Sequence, residues 1–253
     1  MSEVTGRTLK FIFGSEIPVK GVTFNNQHAE LDSTTTATLN GGTESVAGRG
    51  KRGISVTAEL YTAGGVKVTG ATLGITIATV AYKATSIDYD VQWNEADSTT
   101  TSTDPDSTEV VGVRRKGTTT VQAIMYRNTA DQITESTPTA KAVVLTFATG
   151  VTVTGNALIH TEDITDEVNG LCTVTLSLAW QGVPVEANLG AITLNDADDC
   201  EIIYETGAVT NKEVTGTAIF LQRTVSCEVN GDAQVTYNGF FNGAIDKAVY
   251  AAE

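Results

Sequence analysis

Apolar and polar positions alternate with a period of two along much of this 253-residue chain. The clearest runs each follow a Val-Asn-Gly tripeptide. After Val168-Asn169-Gly170, one parity holds Cys172, Val174, Leu176, Leu178 and Trp180, and the other holds Thr173, Thr175, Ser177 and Ala179. After Val229-Asn230-Gly231 the same parity carries Ala233, Val235, Tyr237, Gly239 and Phe241, opposite Gln234, Thr236, Asn238 and Phe240. This period belongs to a strand with one buried face. Asn-Gly ahead of such a run signals a hairpin, because both residues tolerate positive φ. The two runs are copies. Val153-Thr154-Gly155-Asn156-Ala157-Leu158 is matched by Val214-Thr215-Gly216-Thr217-Ala218-Ile219, and Trp180-Gln181-Gly182 by Phe241-Asn242-Gly243, all 61 residues apart. A hairpin therefore occurs twice, with Val174, Leu176, Leu178, Trp180, Val235, Tyr237 and Phe241 as its core positions.

Elsewhere the pattern predicts strands at Leu9–Phe13, at Ile54–Leu60, within Val66–Tyr82 around Gly70 and Gly74, at Thr119–Tyr126 and at Ala142–Phe147. Residues 32–53 are Thr-rich and then Gly-rich and read as a long loop or extended arm. Residues 94–109 hold Glu95, Asp97, Asp104, Asp106 and Glu109 among serines and threonines, and read as an acidic loop or a seam between halves. Helical signals are thin: a short terminal helix over Ala244–Glu253, and a stretch over Ile133–Lys141 broken by Pro138. Strands spaced by turns predict an all-β sandwich with long loops, possibly duplicated. The expected halves are residues 1–148 and residues 149–253, the second carrying the repeated hairpins.

Composition narrows the function. Hydrophobic residues make up 41% of the chain, ordinary for a globular protein, and abundant Thr and Val suit half-exposed strands. No apolar run reaches the length of a membrane span. The opening Met1-Ser2-Glu3-Val4 lacks the features of a secretory signal, which predicts a product made and kept in the cytoplasm. A formal charge of −14 argues against tight nucleic-acid binding. Positive charge is clustered at Arg49, Lys51 and Arg52 and again at Arg114, Arg115 and Lys116; these are either exposed hairpin tips or contacts to an acidic patch on another copy. Three cysteines without a signal read as free thiols.

Candidate chemistry is sparse. His28 and His160 lie far apart without partners at metal spacing, and no phosphate-binding loop or nucleophile elbow appears. Asn195-Asp196-Ala197-Asp198-Asp199 offers oxygens at alternate positions but lacks the glycine and distal glutamate of an EF-hand, and reads as a solvated turn. The sequence predicts no catalytic residue, no metal, no cofactor and no enzyme.

One order of features resembles the major tail, or tail-tube, proteins of long-tailed bacteriophages. It consists of an N-terminal strand, an Asp-Thr-rich segment (32–38), a Gly/Glu/Arg stretch (41–52), an alternating strand (54–60) and a final hairpin closing on Phe241-Asn242-Gly243. The likeness covers residues 1–60 and 214–253. It implies a β-sandwich subunit forming rings, usually hexameric, that stack into a hollow tube through which DNA passes. Residues 32–53 would then reach the adjacent ring, with Arg49, Lys51 and Arg52 as contacts. The chain is longer than a minimal tube subunit, which implies insertions near 94–109 or two fused tube folds, in which case a trimer would mimic a six-fold ring. The implied partners are itself, other tail proteins and transiting DNA without tight binding, and the implied location is the virion tail. An acidic lumen would repel phosphate. An Ig-like adhesion or carbohydrate-binding module and a capsid decoration protein are the competing expectations.

Overall fold

The computed structural model of the chain describes residues 9–32, 45–97, 110–124, 139–166, 170–206 and 211–247. They form β1 (Lys10–Phe13), β2 (Ser15–Ile17), β3 (Gly21–Asp32), β4 (Ser45–Glu59), β5 (Gly74–Ile77), β6 (Val80–Asp97) and β7 (Val110–Ile124). They continue with β8 (Lys141–Ala148), β9 (Val151–Thr165), β10 (Thr173–Ala187), β11 (Ala197–Thr206), β12 (Asn211–Glu228) and β13 (Gln234–Lys247). A single 3-10 turn at Gly70–Thr72 is the only helical element among the described residues. The fold is all-β and sandwich-like, as the alternation predicts.

All the strand pairings are antiparallel. One layer runs in the order β3-β4-β13-β12-β6-β7-β10-β9. The other is built where β2, β1 and β11 join the first half of β12, and where β5 and β8 join the first half of β9. Aromatic rings tie the layers together: Phe220 on β12 meets Phe11 and Phe13 of β1 and Tyr237 of β13 edge to face. All seven core positions expected in the repeated hairpins are buried.

The pairing registers reveal a larger duplication than two hairpins. Leu158 opposes Ala179 as Ile219 opposes Phe240, and Thr154 opposes Val185 as Thr215 opposes Asp246. The bulges at Gln181/Val185 and Ser177/Leu178 recur at the corresponding places, Thr215/Thr217 and Phe220/Gln222. The β3–β4 hairpin recurs in β6–β7: Val22 faces Val56 as Ile87 faces Val121, and Asp32 faces Ser45 as Asp97 faces Val110. The β1–β11 pair, with Phe11 facing Ile202, recurs in β5–β8 with Ile75 facing Leu145. Thus β1–β4 with β11–β13 make one unit, and β5–β10 make a second copy set inside the first, between β4 and β11. Strand pairs therefore run across the expected division at residue 148: β4 with β13, and β7 with β10.

Three local expectations change. Residues 45–53 of the expected loop are strand, because β4 is held between β3 and, over Arg52–Glu59, β13. Ladder bonds on both sides override the weak strand preference of glycine; residues 33–44 of that loop lie outside the described residues. Asn94–Asp97 of the expected acidic loop belong to β6, and residues 98–109 lie outside the description. Ala244–Lys247, expected as helix, extends β13 by pairing Asp246 and Lys247 with Thr215 and Val214; residues 248–253 lie outside. The broken stretch 133–141 is described only from residue 139, and Val168 and Asn169 of the first turn lie outside. In the second turn Asn230 adopts φ 63°, as an Asn-Gly hairpin requires. The three cysteines are free: Cys200 and Cys227 are buried, while Cys172 is half-buried just ahead of β10.

The repeated Val-Thr-Gly has a packing reason. A Cβ at Gly155 would lie 3.2 Å from the Trp180 ring, and one at Gly216 would lie 3.2 Å from the Phe241 ring. The glycine seats the aromatic that follows in each copy. Tyr89 packs edge-on to Trp180 at 6.0 Å, and its counterpart Phe24 packs edge-on to Phe241 at 5.7 Å. Gly155→Val and Gly216→Val should each destabilise the fold by about 1–3 kcal/mol through overpacking. Urea unfolding checks this; an unchanged midpoint for both would refute the seat.

Candidate self-association interface

The two units meet where β12 of the first pairs with β6 of the second, from Gln222 opposite Gln92 to Glu228 opposite Ser86. Arg223, Val225 and Cys227 point inward here, and Val225 and its partner Tyr89 are fully buried. A charged cluster lies over the joint. The Glu186 carboxylate of β10 pairs with Arg115 of β7 and with Arg223 of β12, and accepts a hydrogen bond from the Tyr89 hydroxyl. Burial, and then the negative charge of Glu186, push the Tyr89 hydroxyl's pKa well above its ordinary value. The phenol stays protonated and remains a donor.

On the opposite, open face the joint is polar. Asp90 of β6 accepts hydrogen bonds from Gln222 (2.9 Å) and Thr224 (2.7 Å) of β12, and Asn238 donates to Gln222 at 3.1 Å. Thr57 and Thr236 hydroxyls meet at 3.3 Å. Beyond the joint the β6–β7 hairpin is clamped by two amides of the first unit. Asn242 bonds both backbone groups of Val110 at 3.0 Å, and Asn195 bonds Gly112 N–H and C=O at 2.9 and 3.1 Å. Val110 packs with Ile219, Leu221, Trp93 and Phe240 beneath this arm.

The duplication supplies a second set of the same edges. The counterpart of β12 is β9 and the counterpart of β6 is β3. Past Ala157, β9 pairs only with β10, and β3 pairs only with β4 among the described residues. Ile164, the counterpart of Val225, is 56% exposed where Val225 is 0% exposed. Phe24, the counterpart of Tyr89, is only partly buried. One joint is made inside the chain, and the halves of an identical joint stand open at its two ends.

The basic residues do not form one patch. Lys51 is exposed, pairs with Glu95 and lies over the Phe240 ring at 5.1 Å. Arg52 is buried and donates to the Gly243 carbonyl at 2.7 Å. Arg115 belongs to the Glu186 cluster, while Arg114 and Lys116 are exposed on β7. Arg49 lies on β4. Four of them are paired by the duplication, Arg49 with Arg114 and Lys51 with Lys116. His160 is exposed on β9 and His28 lies on β3; no group of metal-ligating side chains occurs among the described residues. The run 195–199 turns at Asn195 (φ 61°) and enters β11 at Ala197.

Against known proteins the sequence matches no family model and no characterised protein. The duplication is the signal sequence reading missed outside the hairpins. Asp32-Ser33-Thr34-Thr35-Thr36 is repeated as Asp97-Ser98-Thr99-Thr100-Thr101, and Val56 and Ala58 as Val121 and Ala123, all 65 residues apart. Within the described strands this spacing agrees with the register.

Glu186→Ala would leave two guanidinium groups at the joint without their carboxylate, and should cost about 2–4 kcal/mol in urea unfolding. A loss below about 0.5 kcal/mol, the size of an exposed pair, would refute the cluster's role. At the far end of β4, Lys67, Lys20 and Tyr61 hold Glu59 down to about 2. Its stabilising contribution is therefore present above the ordinary carboxylate range and lost as pH falls toward about 2. A carboxyl NMR titration checks this, and a midpoint in the ordinary range would contradict it.

Proposed function

We propose that this chain is a structural subunit that polymerises edge to edge, β9 of one copy joining β3 of the next. The observation that carries the reading is the β12–β6 joint, whose two halves recur as open edges at opposite ends of the same layer. Copying its register sets Thr161 opposite Gln27, Ile164 opposite Phe24, and Thr165 opposite Thr23 in the next copy. Such a contact is head-to-tail, and it closes into a ring if the rotation per chain divides the circle. Open apolar edges are a hazard for a monomer and a device for an assembly.

The resemblance to phage tail-tube proteins supports the finer reading: stacked rings forming the tail tube of a long-tailed bacteriophage, located in the virion and passing DNA at ejection. Each chain contributes two units, so three chains would supply the six of a hexameric ring. The open face of the eight-stranded layer would line the lumen. Its side chains at the joint, Asp88, Asp90, Gln222, Thr224 and Ser226, are short, polar or acidic, and offer phosphate little to hold. The reading assigns the chain no reaction, metal or cofactor. Other tail proteins would be its remaining partners.

Electron microscopy and light scattering of the purified chain test the proposal. Rings or tubes are expected, and Ile164→Asp should abolish them while leaving circular dichroism unchanged. A monomer at every concentration, or assembly indifferent to Ile164→Asp, would overturn it.

A further inference from the structure

The two joints are alike in backbone but opposite in charge order. Inside the chain the cation sits on β12 (Arg223) and the anion on β10 (Glu186). At the open edges the counterpart of Arg223 is Glu162, and the counterpart of Glu186 is position 247, a lysine. The open face shows the same reversal. Inside, the carboxylate is on β6 (Asp90) and its donor on β12 (Thr224). At the edges the carboxylate is on β9 (Asp163) and the amide on β3 (Asn25), positions fixed by the same register.

We infer that this reversal is a pairing code that admits only β9 to β3 between copies and only β12 to β6 within one. The inference rests on the assembly proposed above. The correct joint between copies sets Glu162 toward Lys247, and Asp163 opposite Asn25. Two wrong joints share the same backbone complementarity. If β9 of one copy displaced β12 from β6 of another, Asp163 would face Asp90 directly, and Glu162 would crowd Glu186. If β12 invaded the β3 edge of another copy, Arg223 would meet Lys247 with no carboxylate between them. Like charges opposed across strands repel, and repulsion against wrong partners is how closely similar interfaces are kept apart. A duplicated chain needs such a device, since every open edge otherwise fits an internal one and strand exchange would tangle the assembly. In the isolated chain Glu162 is attracted by Lys141 of β8, so the carboxylate is held near the edge that it keys.

The test uses the full chain carrying Cys172→Ser, with Thr165→Cys and Thr23→Cys to trap the joint between copies as a disulfide. Thr161→Cys with Thr23→Cys serves as the out-of-register control. Glu162→Lys alone and Lys247→Glu alone should each slow cross-linking and weaken assembly about ten-fold or more. The double variant Glu162→Lys/Lys247→Glu should restore both. So should a one-to-one mixture of the two single variants, because their unlike edges match. Circular dichroism reports folding throughout. If the parent chain assembles and cross-links in register but the single variants match it, the code is wrong and the assembly stands. If the parent neither assembles nor cross-links, or cross-links only in the control register, both readings fall.

Discussion

Backbone hydrogen bonds at a strand edge must be satisfied, and this chain is organised around where it satisfies them. The β12–β6 ladder joins two copies of one sandwich-like unit into a single eight-stranded layer. Everything specific to that layer follows from the joint. Val225 and Tyr89 are buried because each covers the other's edge, and Glu186 lies between two arginines because the joint brings β10 and β12 within reach. Ladder bonds are individually worth little in water, but an edge carrying Ile164 and Phe24 gains apolar burial as well when it is covered.

Nesting explains why the second unit can be so large an insertion. It leaves β4 at Glu59 and returns at β11, and both boundaries lie on surface turns where a chain tolerates interruption. Lys67 bridges Glu59 and Asp232 there at 2.7 Å each, closing the mouth of the insertion beside the second hairpin turn. The result is a chain that is already a dimer of units and keeps a dimer's unused edges. A heterologous contact of this kind propagates until it closes, which links the duplication in sequence to the ring proposed for function.

Much of the fold was legible because alternation survives wherever one face is buried and the other is wet. Val174 to Trp180 and Val235 to Phe241 declare their inward faces, and the conserved spacing of their turns gave the hairpins. The β3–β4 pair was not legible. Gly48, Gly50 and Gly53 carry no β preference, and strand Gly21–Asp32 mixes Asn, Gln and His in place of clean alternation. Pairing with neighbours far along the chain decides these segments, which is information a local window lacks. The basic clusters misled for a related reason. Arg52 and Arg115 look exposed in a glycine-rich run, yet the parity of their strands turns them toward the Gly243 carbonyl and the Glu186 carboxylate. The open edges could not be read from sequence, since they exist only by comparison with the joint that is filled.

The central claim is that residues 161–166 of β9 and 21–27 of β3 are waiting for each other. Amide hydrogen exchange measured across a concentration series addresses it residue by residue. On assembly, amides facing outward from those two stretches should slow toward the protection of 222–228 and 86–92, while the open face of the layer stays unchanged in its ladder. If those edges exchange as freely in the assembled material as in the dilute chain, the joint proposed here does not form.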